Sequence, residues 1–177
     1  MLCGVALWSV VVSWPVVVFP TPLALFSDGP GRFEALFGGE PLQSSATIMT
    51  PWGETSTHTF RVTELGGTAI VSYWEYPLGR ASPRQMLDSA VDAGSRAAQG
   101  EVREKRTISL NGISGVEILM DLPPRSTLRA RFFIVDNRLY YVAFVSASDS
   151  FSDRAERFFT SFRILRTHAH GSALGRR

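Results

Sequence analysis

Chemistry that needs a thiol or an amine finds almost nothing to use in this chain. Its 177 residues include one cysteine, Cys3, and one lysine, Lys105, every other basic side chain being arginine. The scarcity of lysine removes P-loop, Schiff-base and most lysine-base mechanisms. Cys3 lies in an apolar leader, so the rest of the chain carries no disulfide, thiol nucleophile or cysteine metal site. Also missing are G-x-S-x-G, H-E-x-x-H, G-x-G-x-x-G and G-x-x-x-x-G-K. With them go a nucleophile elbow, a zinc-binding helix and a phosphate cradle. The 18 basic and 16 acidic residues are interspersed, so a pI near 9.0 reflects a small surplus and no concentrated basic face. Nucleic acid is therefore not an expected partner.

Charge is absent altogether from Met1 to Phe26. A run of that length can span the roughly 30 Å hydrocarbon core of a bilayer. Residues 1–26 read as a signal peptide or membrane anchor, which puts the rest outside the cytoplasm, either anchored or secreted to the periplasm. The run lacks a basic start, contains Pro15, Pro20 and Pro22, and has no small-x-small cleavage site before Ser27. A translation start upstream of Met1 would account for the missing basic residues, and a buried N-terminal strand or helix is the competing reading. Residues 27–32, SDGPGR, have linker chemistry. One domain is expected over 33–166, followed by a flexible tail at 167–177. His168 and His170 in that tail have a metal-ligand spacing, but a lone dyad supports no site, so no metal or cofactor is assigned.

Within the domain, strand-like runs are separated by tight-turn signals: PWG at 51–53, GG at 66–67, NG at 111–112 and DN at 136–137. Two segments have helical periodicity instead. Over 83–99, Ser82 is a cap, Pro83 suits the first turn, Gln85 completes a capping box and Gly100 ends the helix. Over 151–163, Ser150 and Asp153 form a second box, and Phe151, Ala155, Phe158, Phe159 and Phe162 share one face. The result is an α+β fold, an antiparallel β-sheet of hairpins flanked by helices.

Turn chemistry also predicts register. A two-residue loop at Asp136-Asn137 pairs Val135 with Arg138, Phe132 with Tyr141 and Ala130 with Ala143, giving one wholly apolar face. The opposite face carries Arg129, Arg131, Phe133, Tyr140 and Phe144. Guanidinium groups among aromatic rings can clamp a carboxylate or phosphate, which makes these five the candidate recognition surface. The structural alternative is that the arginine stems cover a half-exposed sheet face.

TPWGETSTHTF, residues 50–60, looks most like a catalytic segment. A three-residue loop, Pro51 to Gly53, pairs Ala46 with His58 and puts His58 on the core side with Ile48, Phe60 and Val62. A turn at Gly66-Gly67 pairs Phe60 with Tyr73 and His58 with Glu75. The His58/Glu75 pair fits either a base held by an acid or a polar partnership at the sheet rim, and the structural reading outweighs the catalytic one.

The strings TPWGETSTHTFRV, AIVSYWEYP, ISLNGISGVEI, RARFFIVDNRLYYV and RFFTSFRIL, in the order hairpin, hairpin, helix, hairpin, hairpin, helix, resemble bacterial exported proteins with the PsbP-like α/β/α sandwich. The resemblance spans about Phe33 to Leu165 and implies that fold. Relatives such as the extrinsic PsbP subunit of photosystem II and a Ran-GTPase-binding protein act by binding proteins, so it also implies an accessory, non-catalytic role with an unidentified protein partner. It carries over no site residue, and fold alone is a weak guide to activity. A hydrolase using His58 and Glu75, or a carrier of a small apolar ligand between sheet and helix, remain the alternatives.

Overall fold

A computed structural model describes residues 21–165 except positions 65, 78, 80, 149 and 150. The chain opens with β1 (Ala24–Asp28) and β2 (Phe33–Phe37), then runs through a meander of β3 (Leu42–Thr50), β4 (Gly53–Glu64) and β5 (Gly67–Glu75). Helix α1 (Pro83–Ala98) leads to a second meander, β6 (Glu101–Leu110), β7 (Ile113–Leu122), β8 (Ser126–Val135) and β9 (Arg138–Ser146). Helix α2 (Asp153–Ser161) and the short β10 (Arg163–Ile164) follow. Seven strands form one antiparallel sheet in the order β3-β4-β5-β9-β8-β7-β6, and β1-β2-β10 form a small second sheet. Thus β5 and β9 join the two meanders at the centre of the large sheet.

Both helices start where local chemistry satisfies their free N–H groups. The Ser82 hydroxyl accepts from the Gln85 N–H at 3.3 Å, and the Gln85 side chain accepts from the Ser82 N–H at 2.9 Å, completing the expected box. At the other end Gln99, and not Gly100, takes the left-handed conformation, with φ +52°. Helix α2 starts two residues later than the sequence suggests. Its cap is Ser152, whose hydroxyl accepts from the Ala155 N–H, with Asp153 and Glu156 in the positive first turn.

The N-terminal boundary also moves. Residues 24–26, read as the end of the leader, belong to β1, and residues 27–32, read as a linker, complete β1 and turn into β2. Phe26 explains the difference: its ring sits 5.4 Å from Phe60 and 5.9 Å from Phe37, so the last part of the apolar run joins the core. Among the described residues no helix is long and apolar enough to cross a membrane. Residues 1–20 and the His168/His170 tail lie outside the described residues.

The β8–β9 register is the expected one throughout, from Val135 opposite Arg138 to Leu128 opposite Val145. The two earlier hairpins differ from expectation. Thr50 pairs with Gly53, so the loop has two residues, not three, and Ser45 rather than Ala46 faces His58. The Thr50 hydroxyl closes this turn, donating to the Gly53 carbonyl at 2.7 Å and accepting from the Trp52 N–H at 3.3 Å. In the next hairpin Glu64 pairs with Gly67, so Gly67 begins β5 and is not a turn residue. A β-carbon at Gly67 would collide with the Phe144 ring and the Val145 carbonyl, so the close approach of β5 to β9 needs glycine there. The shift is two residues. His58 therefore keeps its face with Phe60 and Val62 but lies opposite Tyr73, not Glu75, while the one-residue shift of β3 puts Ile48, opposite Thr55, on the other face.

The two faces of the large sheet bury different side chains. On one, Phe33 and Phe37 of β2 and Phe158 and Phe159 of α2 pack against Phe60, Val71, Phe133, Tyr140 and Phe144. On the other, Met86, Ala90 and Val91 of α1 pack against Ile118, Met120, Ala130, Phe132 and Leu139. This is the predicted α+β sandwich, with helices on both faces of the sheet.

Candidate functional site

Alternation along β4 places His58 on the face that carries Phe60 and Val62, at the rim of the small sheet. Its ring stacks on Tyr73, with centroids 4.9 Å apart and planes 24° from parallel. Nδ1 lies 2.9 Å from the Ser45 hydroxyl, its cross-strand neighbour. The expected carboxylate is committed elsewhere. Glu75 Oε1 accepts from Arg138 Nη2 at 2.5 Å and from Nε at 3.2 Å, while Arg138 Nη1 donates to the Pro30 carbonyl at 2.6 Å. The same guanidinium lies 4.9 Å over the Tyr73 ring. Burial, and then the negative charge of Asp28, push the Tyr73 hydroxyl pKa up.

A hollow of about 350 Å³ opens between His58, Tyr73, Glu75, Arg138 and Pro30. The Ser45 hydroxyl and the His58 imidazole meet beside this hollow, and Glu75, which lines it, is bound to Arg138. Ser45 sits in the middle of a regular strand and not on a strained elbow, so the pair lacks the geometry of an activated nucleophile. Hydrolysis through His58 and Glu75 loses its geometric basis, because Arg138 holds the carboxylate.

The five-residue recognition surface is not an open face. Phe133, Tyr140 and Phe144 are at most 2% exposed, covered by α2 and the small sheet. Phe133 stacks on Phe162, and the Tyr140 hydroxyl donates to the Gly31 carbonyl at 2.9 Å. Burial raises the Tyr140 pKa. The arginines do stack on aromatic rings, but the rings belong to α2 and its approach. Arg131 lies 4.7 Å over Phe159, and Arg129 lies 4.4 Å over Phe151. Arg129 Nη1 also donates to Glu156 at 2.6 Å. The five side chains are neighbours on the sheet as the register requires, and α2 lying over them takes away their exposure.

Beneath that helix is an ion cluster the sequence reading missed. Glu117 is 5% exposed and accepts from Arg131 Nε at 2.6 Å and from Arg106 Nε at 2.8 Å. Burial alone would raise the carboxyl pKa, but the hydrogen bonds from Arg131 and Arg106 outweigh it and hold the group below its ordinary value. Glu117 lies opposite Arg106 on β6 and Arg131 on β8, so correct register across three strands would have revealed it.

On the α1 side an apolar groove lies between α1 and the tip of the β3–β4 hairpin. The groove, of about 530 Å³, is lined by Ile48, Trp74, Phe132 and Tyr141 from the sheet side, with Ala93 and Ala97 forming its helix rim. Small residues on α1 create it, because their side chains stop short of the aromatic floor. Burial pushes the Tyr141 hydroxyl up to about 12. Beside the groove, the α1 side of β4 carries Thr55, Thr57, Thr59, Arg61 and Thr63, none of them buried. Thr59 shares a hydrogen bond with Ser72 at 2.9 Å, and Thr63 with Thr68 at 3.2 Å.

No family model matches this sequence, and no curated protein matches it either. The likeness is one of shape. The solution structure of the cyanobacterial PsbP protein CyanoP, from Synechocystis sp. PCC 6803, superposes with a TM-score of 0.55 at 13% identity. The match spans 87% of this chain and 98% of that one. The chain has the PsbP-like fold. PA94 from Pseudomonas aeruginosa, a protein of unknown function, aligns over 70% of this chain and 82% of its own at 12% identity. Its TM-score of 0.35 is too low to inform the reading. Among the described residues of this PsbP-like domain, no three His, Cys, Asp or Glu side chains gather to hold a metal ion.

Proposed function

We propose that this PsbP-like domain is an accessory module, held outside the cytoplasm by or after its apolar N-terminus, that binds a protein partner and performs no catalysis. The observation that carries the reading is the groove between α1 and the β3–β4 hairpin, with the threonine row of β4, interrupted by Arg61, beside it. An apolar slot of about 530 Å³ takes one or two large side chains, and the threonine row offers hydrogen bonds around it. The uncharged run that precedes β1 supports the location and gives a route to the membrane.

The test is capture of partners from membranes by the full chain. Ala97→Trp, at an exposed position on the helix rim, narrows the groove without touching the core. Capture should fall by about tenfold or more, the loss expected when a contact at the centre of an interface is removed. Undiminished capture would remove the groove from the reading.

A second reading is favoured by the same volume, since about 300 Å³ suffices for a small-molecule pocket. A carrier of an apolar ligand would bind the fluorescent probe N-phenyl-1-naphthylamine in a way that Ala97→Trp abolishes. For the hydrolase reading, an ester-hydrolysis assay on the His58→Ala protein decides, and unchanged rates are expected.

A further inference from the structure

The two outer edges of the seven-stranded sheet are built differently. Strand β6 carries Glu101, Arg103, Glu104, Lys105 and Arg106, and its pairing with β7 is broken by an irregularity between Val102 and Glu104. Charge and a bulge are the usual protections of an edge against another strand. Strand β3, Leu-Gln-Ser-Ser-Ala-Thr-Ile-Met-Thr, has neither. It has no charge in nine residues, pairs with β4 without a register shift, and is exposed at every residue except Ile48 and Thr50. Two of the large apolar side chains most exposed to solvent lie on it, Leu42 at 62% and Met49 at 77%.

We propose that β3 is a homodimerisation edge, pairing antiparallel with β3 of a second copy about a two-fold axis at Ala46. Self-complementarity singles out a second copy as the occupant, as an isologous contact requires. Side chains paired across strands share a face, so Leu42 of one copy comes beside Thr50 and Ile48 of the other, at the mouth of the apolar groove. On the opposite face Ser45 meets Thr47, hydroxyl to hydroxyl, and Gln43 covers Met49. No like charges meet anywhere along the strand. The side chains brought opposite one another are uncharged throughout, and the outward N–H and C=O groups of alternate residues along about 30 Å of edge are paired. The proposal rests on the edge and not on partner capture, so either can fail alone.

The test uses the full chain in its membrane, with Cys3→Ser removing the native thiol. Ala46→Cys places two thiols next to the two-fold axis, and mild oxidation should give a disulfide-linked species of twice the chain mass. Thr107→Cys, on β6, is the opposite-edge control and should give none. Adding Thr47→Lys to Ala46→Cys sets like charges near the axis and should slow cross-linking by about tenfold or more, with the thermal melting curve unchanged. Cross-linking through position 46 no faster than through position 107, an adduct with a different polypeptide, or insensitivity to Thr47→Lys would each overturn the proposal.

Discussion

The α2 side and the α1 side of the large sheet are both apolar at the centre, yet the first is closed there, its hollow by His58 lying at the rim, while the second keeps an apolar groove. On the α2 side the covering layer supplies large rings, Phe26, Phe33 and Phe37 from the small sheet and Phe158, Phe159 and Phe162 from the helical segment, and these interlock with the rings of the sheet. Even the arginines there are used, stacked under α2 and tied to Glu117 and Glu156. On the α1 side a single helix covers β7 and β8, and toward β5 it offers Ala93, Gly94 and Ala97. The size of the covering side chains decides which face is a sealed core and which keeps a groove.

Substitutions can break this comparison, and the largest effect should come from the sealed side. Phe158→Ala leaves a ring-sized cavity among buried aromatics and should cost about 3–5 kcal/mol in urea unfolding. A loss near zero would mean that α2 is a loose cover. Glu117→Ala strips Arg131 and Arg106 of their shared acceptor and should cost about 1–3 kcal/mol. Because the Glu117 carboxyl is held below its ordinary value of 4.5, its contribution is present above that pH and drains away as pH falls below it. Acid unfolding of Glu117→Gln should therefore depend less steeply on pH below about 4.5 than that of the native chain.

The open side should respond more gently. Tyr141 ionises near 12 in the folded chain against 10.0 ordinarily, so the unfolded chain sheds that proton first and stability falls as pH rises between the two values. Tyr141→Phe should remove this part of the alkaline loss, read from melting curves as pH rises from 10.0 toward about 12. The smallest change in stability belongs to Ala97→Trp, within about 0.5 kcal/mol as expected for a surface site. A large destabilisation would show that the α1 rim is packed as tightly as the α2 side.

Much of the fold was legible in local chemistry. The Ser82–Gln85 box, the phenylalanine spacing around Phe158 and the Asp136-Asn137 turn each rest on neighbours a few residues apart, and each is found in the structure. The two misplaced registers have different causes. At the β3–β4 turn the Thr50 hydroxyl bridges to Gly53 and Trp52 and closes a two-residue loop. In the next hairpin the loop keeps two residues but moves, because Gly67 is held in β5 against Phe144 on β9. The N-terminal boundary is set just as remotely, by contact of Phe26 with Phe60 on β4. The candidate site was less legible still. His58 kept its face because a shift of two residues preserves side-chain alternation, but its partner changed from Glu75 to Tyr73, and Arg138, 63 residues away in sequence, claimed the carboxylate.

The sequence by itself determined the types of the main elements, the start of α1, the alternation of faces along each strand, and the lack of thiol and amine chemistry, because these depend on composition and short-range spacing. Only the tertiary structure decided which faces are covered. Whether Arg129 and Arg131 meet solvent or the rings of α2, and whether Trp74 floors a core or a groove, depends on side chains brought in from distant segments, and burial is a property of that assembly.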